Sequence, residues 1–281
     1  MGYRAYVGAP ALNPRLVPTQ PVAVDRAHPL AVGLTEWFVF GSQAGFNGLF
    51  SGTPTNRSGT SLSGVSLGAS AIGPAAAFST GALLTGTTVA ALLPATGPFS
   101  VTALVVPTAV TGNPSITGAY TGNNGNASGA FQFGLNTSNQ LFVNRTNQVA
   151  MGNSTTTVAL NVVSHVGVTY DASGNLIFYV NGVAGGTASS SQTFTTTYTG
   201  AIGFDDSNPQ SPWIGQIVEI KYHARLLAAG EMAQLATEPF AMLRPVVRRQ
   251  YYQAPQAVSF TWLHMTPDNQ PAFVPPEMVG Y

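Results

Sequence analysis

Apolar and polar residues alternate with a period of two along most of this chain, the spacing of strands that bury one face. The clearest run is Phe99–Val106, which sets Phe99, Val101, Ala103 and Val105 on one side. Phe131–Leu135 and Leu141–Asn144 flank Thr137, Ser138 and Asn139 and predict a hairpin. His165–Tyr170 and Leu176–Val180 predict another around Asp171, Ser173, Gly174 and Asn175, and Asn181-Gly182 marks the next corner. Gly215–Tyr222 is the last strong strand. Between Gly41 and Gly97, short apolar pieces such as Leu49, Phe50, Val65, Phe78 and Leu83 are parted by Gly, Ser and Thr. That is the spacing of short sandwich strands. Only at Ala228–Ala236 does the period become helical, with Ala228, Met232 and Leu235 in register and no Ser, Thr or Asp to cap the start. No fixed-period repeat is visible, which argues against a propeller or β-helix.

Three regions follow from this pattern. Residues 1–27 carry Pro10, Pro14, Pro18 and Pro21 without periodicity and read as an extended arm. Residues 28–244 form the sandwich, with Trp37 on its first buried strand. Residues 245–281 form a second arm rich in proline and aromatic rings. A solvated linker has no use for so many rings. Trp262, Phe260 and Phe273 are therefore expected as ring anchors at a subunit interface, with Arg248 and Arg249 as polar anchors. Homo-oligomeric association is the corresponding expectation.

Composition sharpens this picture. Charged residues are 7% of the 281, against about 25% in an ordinary soluble domain, and ten basic residues balance ten acidic ones. Nothing electrostatic favours nucleic acid or an anionic membrane as partner. A surface near zero net charge favours association. Cysteine is absent, which excludes disulfides and thiolate chemistry. The N-terminus lacks a signal-like apolar core, and the apolar tract Ala71–Leu93 is too interrupted by Gly and Pro for a spanning helix.

The second half of the chain carries a family likeness. Thr169-Tyr170-Asp171, then Leu176–Gly182 (LIFYVNG), Ile202-Gly203, the strand Gly215-x-Ile217-x-Glu219, and Tyr222, Arg225 and Leu226 at a turn into a helix all fall in one order. This order resembles the closing half of a LamG-like, concanavalin A-type lectin domain. The phrases His28–Phe40 and Glu238–Pro245 resemble LamG-like proteins of tailed bacteriophages and prophages. The resemblance implies an all-β, two-sheet jelly-roll sandwich with one short C-terminal helix. It also implies a non-enzymatic virion protein, a head decoration or tail/fibre component assembled in the host cytoplasm, whose partners are itself and other virion proteins. The alternative it leaves open is a carbohydrate-binding adhesin module for a host-surface polysaccharide.

Candidate chemistry is sparse. Glucan-cleaving relatives of this type set paired acids on one strand as E-x-D-x-E, because retaining hydrolysis needs two carboxyl groups about 5–5.5 Å apart. Glu219 has no such neighbour and is expected to pair with an Arg or cap a sheet edge. His28, His165, His223 and His264 are dispersed, with His165 expected at the sheet surface or rim. Asp205, Asp206 and Asn208, with Asp171 from the neighbouring hairpin, are the oxygen-rich candidates for calcium. For a glycan, Trp213, Phe204 and Tyr120 offer rings for stacking, with Asn123 as a polar partner; Trp213 and Phe204 could equally fill the core edge. Lys221, Arg225, Arg244, Arg248 and Arg249 hold half the basic charge and read as interface anchors.

Overall fold

The computed structural model describes residues 13, 15–18, 22–40, 48–51, 60–61, 64–79, 81–120, 128–145, 149–190, 193–204 and 212–246. The chain divides into two units, Met1–Val246 and Val247–Tyr281, and the sandwich lies in the first. The expected anchors Arg248, Arg249, Phe260, Trp262 and Phe273 lie outside the described residues.

The early strands are β1 (Val22–Val24), β2 (Leu34–Val39), β3 (Gly48–Ser51), β4 (Thr60–Ser61), β5 (Val65–Ser70), β6 (Gly73–Phe78) and β7 (Leu83–Thr88). After the one-turn helix α1 (Val89–Leu92) come β8 (Phe99–Ala109), β9 (Ser115–Tyr120), β10 (Phe131–Leu135), β11 (Gln140–Arg145) and β12 (Val149–Thr157). The closing half holds β13 (Ser164–Tyr170), β14 (Asn175–Val180), β15 (Val183–Ser189), β16 (Thr199–Ile202), β17 (Ile214–His223), α2 (Ala229–Thr237) and β18 (Leu243–Pro245). One sheet has seven strands in the order β12-β11-β10-β9-β16-β7-β4. The other has nine, running β15-β14-β13-β8-β17-β2-β3 with β6 beside β17 and β5 beside β6. β1 and β18 form a separate ribbon.

The predicted alternation locates the core. Phe99, Val101, Ala103 and Val105 of β8 all lie in the main apolar cluster, with Phe133, Val143, Phe178 and Ile220. Phe99 meets Phe131 edge-on at 5.2 Å between ring centroids and stacks on Tyr170 at 5.1 Å. The Asn181-Gly182 corner takes φ of 51° and 80°, the left-handed pair that a tight hairpin needs. A Cβ on Gly182 would stand 2.8 Å from the Ala233 Cα, so α2 can rest on this turn only because it is glycine.

The second face of the nine-stranded sheet departs from expectation. Register sets His165 beside Leu104 and Leu104 beside Glu219; the next row holds Thr102, Lys221 and Trp37, and the next Ser100 and His223. So polar a row reads as solvent-facing. Instead, Met232 and Leu235 of α2, Phe240, Met242 and Leu243 behind it, and Val17, Val24 and Leu30 from the N-terminal segment cover it as a second apolar cluster. The reason is amphipathic economy. α2 and the 240–243 turn need an apolar floor, and Trp37, Val39, Leu104 and Val218 supply one between the polar side chains.

Three expectations are corrected by this cover. His165 is buried, 2% exposed, because α2 lies over β13; burial pushes its imidazole down to about 3, with the Lys221 charge adding to the effect. Glu219 pairs with Lys221 and not with an arginine or an edge, since it sits mid-sheet. Lys221 is fully buried and no interface anchor. Its ammonium also lies 4.4 Å from the centre of the Trp37 ring. Desolvation pushes the Glu219 carboxyl up and the Lys221 ammonium down, against their mutual attraction.

Candidate functional site

The sandwich's outer face carries an open groove of about 420 Å³ at the edge of the cover, where β13 and β14 run out from under α2. Its floor is made by Thr169, Ile177 and Tyr179. Thr169 and Ile177 are directly paired across β13 and β14, and Tyr179 stands two residues further on the same face. The opposite wall is Leu226–Ala229, the turn into α2.

Three side chains hold that wall in place. The Ser100 hydroxyl donates to the Arg225 carbonyl at 2.8 Å and accepts the Leu227 N–H at 2.9 Å, which ties the turn to β8. Arg225 forks onto both oxygens of Glu231 at 2.7 and 2.8 Å and donates its Nε–H to the Val32 carbonyl at 2.6 Å. Glu231, held below the usual carboxylate range chiefly by that hydrogen bond, accepts the Ala228 N–H at 2.8 Å and so serves the helix start that lacks a polar cap residue. Arg225, expected as an interface anchor, is therefore committed within the fold.

The groove's chemistry is mixed. Ile177, Leu226 and Leu227 are apolar, and Leu226 is 43% exposed. The hydroxyls of Thr169 and Tyr179 make no hydrogen bond to any described residue, and neither is among the buried polar atoms sealed from solvent. Burial raises the Tyr179 phenol, so it stays protonated as a donor at neutral pH. Asp171 and Asn175 stand at the mouth. Asp171 Oδ1 accepts the backbone N–H groups of Ser173 and Asn175, each at 2.8 Å, and Oδ2 accepts the Asn175 amide at 2.8 Å. These bonds, the Asn175 side chain first, hold the carboxyl below its usual range. The sequence missed Thr169, Tyr179 and Leu226 as site residues, because all three fall inside motifs that also specify strands and turns.

The residues expected at a site scatter. Trp213 is 1% exposed within the main cluster, so its ring faces are closed to a sugar; its backbone N–H donates to the Gly203 carbonyl at 3.0 Å. Tyr120 and Phe204 are half-buried and do meet, with ring centroids 6.5 Å apart and planes tilted by 59°. Asn123 and the calcium candidates Asp205, Asp206 and Asn208 lie outside the described residues. Asp171, the fourth calcium candidate, is a described residue, with both carboxylate oxygens engaged within its own turn. Among the described residues, no three His, Asp or Glu side chains gather as a metal cluster.

Comparison with known proteins agrees with this architecture. Domain 4 of AbnA, an extracellular arabinanase of Geobacillus stearothermophilus solved with arabinotriose, superposes with a TM-score of 0.54 at 16% identity, covering 72% of this chain and 98% of that domain. Trypanosoma rangeli sialidase, solved with the inhibitor DANA, superposes at 0.51 and 15% identity over 73% of this chain, which spans 33% of the sialidase. The binding domain of Paraclostridial Mosquitocidal Protein 1 superposes at 0.50 and 11% identity, over 73% of this chain and 52% of that one. At such identities the likeness is one of fold. No curated protein matches this chain in sequence. The family model of the concanavalin A-like lectin/glucanases superfamily matches residues 79–233, more than half of the chain, from just after β6 through the first turn of α2. With the jelly-roll topology around that segment, the chain belongs to the concanavalin A-like lectin/glucanases superfamily.

Proposed function

We propose that this chain is a non-catalytic carbohydrate-binding module whose ligand sits in the groove between Thr169–Tyr179 and Leu226–Ala229. The observation that carries this reading is the groove's lining: apolar side chains for the C–H face of a sugar, beside the Thr169 and Tyr179 hydroxyls and the Asp171 carboxylate as polar partners for its O–H groups. Its volume falls within the roughly 300–1,000 Å³ of small-ligand clefts. The AbnA domain solved with arabinotriose supports the class of ligand. Glu219, the acid on the motif strand, is fully buried and paired with Lys221, which supports a binding role over a hydrolytic one.

Titration calorimetry against an oligosaccharide panel tests this. Tyr179→Phe keeps the ring and removes one hydrogen bond, so affinity is expected to fall about fivefold, in line with roughly 1 kcal/mol. Leu226→Asp is expected to abolish binding while the unfolding midpoint stays close to that of the parent. Saccharide binding that ignores both substitutions would move the site elsewhere, with the Tyr120–Phe204 pair the next candidate.

A second reading concerns setting. Val22 pairs with Pro245, so the chain enters the β1–β18 ribbon and leaves it at one spot. Together with the low charge, this supports a module carried by its terminal segments within an assembly. We place it, on the end motifs His28–Phe40 and Glu238–Pro245, in a tailed-phage particle built in the host cytoplasm, in contact with copies of itself and other virion proteins.

A further inference from the structure

We infer that the groove selects saccharides without negative charge, and that Asp171 at its mouth is the residue that sets this specificity. The inference rests on the groove being the sugar site. Three hydrogen bonds fix Asp171, two from backbone N–H groups and one from the Asn175 amide. Such bonds favour the charged carboxylate over the acid. Its turn therefore presents a permanent anion to whatever enters.

No cation among the described lining residues offsets it. The nine residues that line the groove include no Lys, Arg or His. The nearest basic side chain of the wall, Arg225, points away into a fork with Glu231 and is neutralised there. Lys221 is fully buried in its pair with Glu219. A uronate, sialate or sulfate brought into this groove would face a fixed like charge with no guanidinium or ammonium among the described lining residues to receive it. A neutral ring meets an acceptor instead. The Asp171 carboxylate can take hydroxyl protons, and the Tyr179 and Thr169 hydroxyls can donate to or accept from their neighbours. Ile177, Leu226 and Leu227 pack the ring's apolar face.

The test uses matched oligosaccharide pairs that differ only by oxidation of C6, galactan against galacturonan and glucan against glucuronan fragments. Calorimetry runs on the full chain at pH 7 in 20 mM and 500 mM NaCl. The neutral member of a bound pair is expected to bind at least tenfold tighter than its acidic twin in 20 mM salt, with the gap narrowing in 500 mM as the repulsion is screened. Asp171→Asn, which keeps the size of the side chain, is expected to raise affinity for the acidic member and close most of the gap. The salt comparison on the unmodified protein stands even if that variant misfolds. An acidic member that binds as tightly as the neutral one, at both salt concentrations, would overturn the selectivity while leaving the groove as the site. Neutral binding that is indifferent to Tyr179→Phe would instead remove the groove reading, and the selectivity with it.

Discussion

Trp37 donates its indole N–H to Glu219 across 2.6 Å, although 182 residues of chain separate them. The same carboxylate oxygen takes the Lys221 ammonium. β2 and β17 are neighbours, and their register places Trp37 opposite Lys221. One aromatic ring, one acid and one amine thus form a dry ionic layer between a sheet and the segments laid over it.

Breaking that layer from one side leaves an uncompensated charge. Lys221→Met is expected to destabilise the sandwich by roughly 3–5 kcal/mol, and the double variant Glu219→Leu with Lys221→Met to recover most of the loss. Urea unfolding monitored by tryptophan fluorescence reads both. A single variant within about 1 kcal/mol of the parent would mean that the pair is solvated in solution.

Acid should weaken the fold through two buried histidines. Burial lowers His165 to about 3, and His223, whose Nε2 lies 3.0 Å from the Leu30 carbonyl, also to about 3. The unfolded chain binds these protons near pH 6.5 and the folded one does not. Stability is therefore fully present above about 6.5 and falls as pH drops toward 3, by up to roughly 1.4 kcal/mol per pH unit for each histidine. Asp171 and Glu231, both lowered, act in the same direction. Midpoints measured at pH 7 and pH 5 check the sign. His165→Gln should flatten the dependence, and a slope unchanged in that variant would clear His165 of any part in it.

Trp213→Ala should act on the fold and not on a ligand. With the ring buried in the main cluster, the substitution is expected to cost roughly 3–5 kcal/mol. Lost sugar binding in that variant should accompany a lowered unfolding midpoint. A fully stable Trp213→Ala protein that no longer binds sugar would return the indole to the candidate site.

Removing residues 247–281 is expected to leave the sandwich intact, because the first unit ends at Val246 and the described residues of both apolar clusters lie within it. Self-association is expected to fall, since that segment carries Phe260, Trp262 and Phe273 as the expected ring anchors. Sedimentation of the truncated and full chains decides it, and equal association in both would leave those rings without an interface role.

Much of the fold was legible in the sequence. The period of two located β8, β10, β11, β13, β14 and β17, the Asn181-Gly182 pair marked its corner, and the change of period marked α2 within one residue at each end. Alternation reports that a strand has two unlike faces, and a left-handed turn leaves a chemical signature in Asn and Gly, so both can be read locally. What covers a face cannot. His165, Glu219 and Lys221 look solvent-facing along the chain, yet they are sealed by Met232, Phe240 and Leu30, residues from remote segments whose apolar sides needed a floor. Trp213, next to a polar loop in the sequence, is buried in the main cluster, and its backbone N–H bonds to the Gly203 carbonyl ten residues back. The groove is decided at the same level. Thr169 and Tyr179 lie about fifty residues before Leu226, and the two sides meet only because Ser100, on a third strand, holds the turn between Arg225 and Leu227. A local pattern can specify each of those strands, while a cavity between them exists only once long-range packing has set their distance.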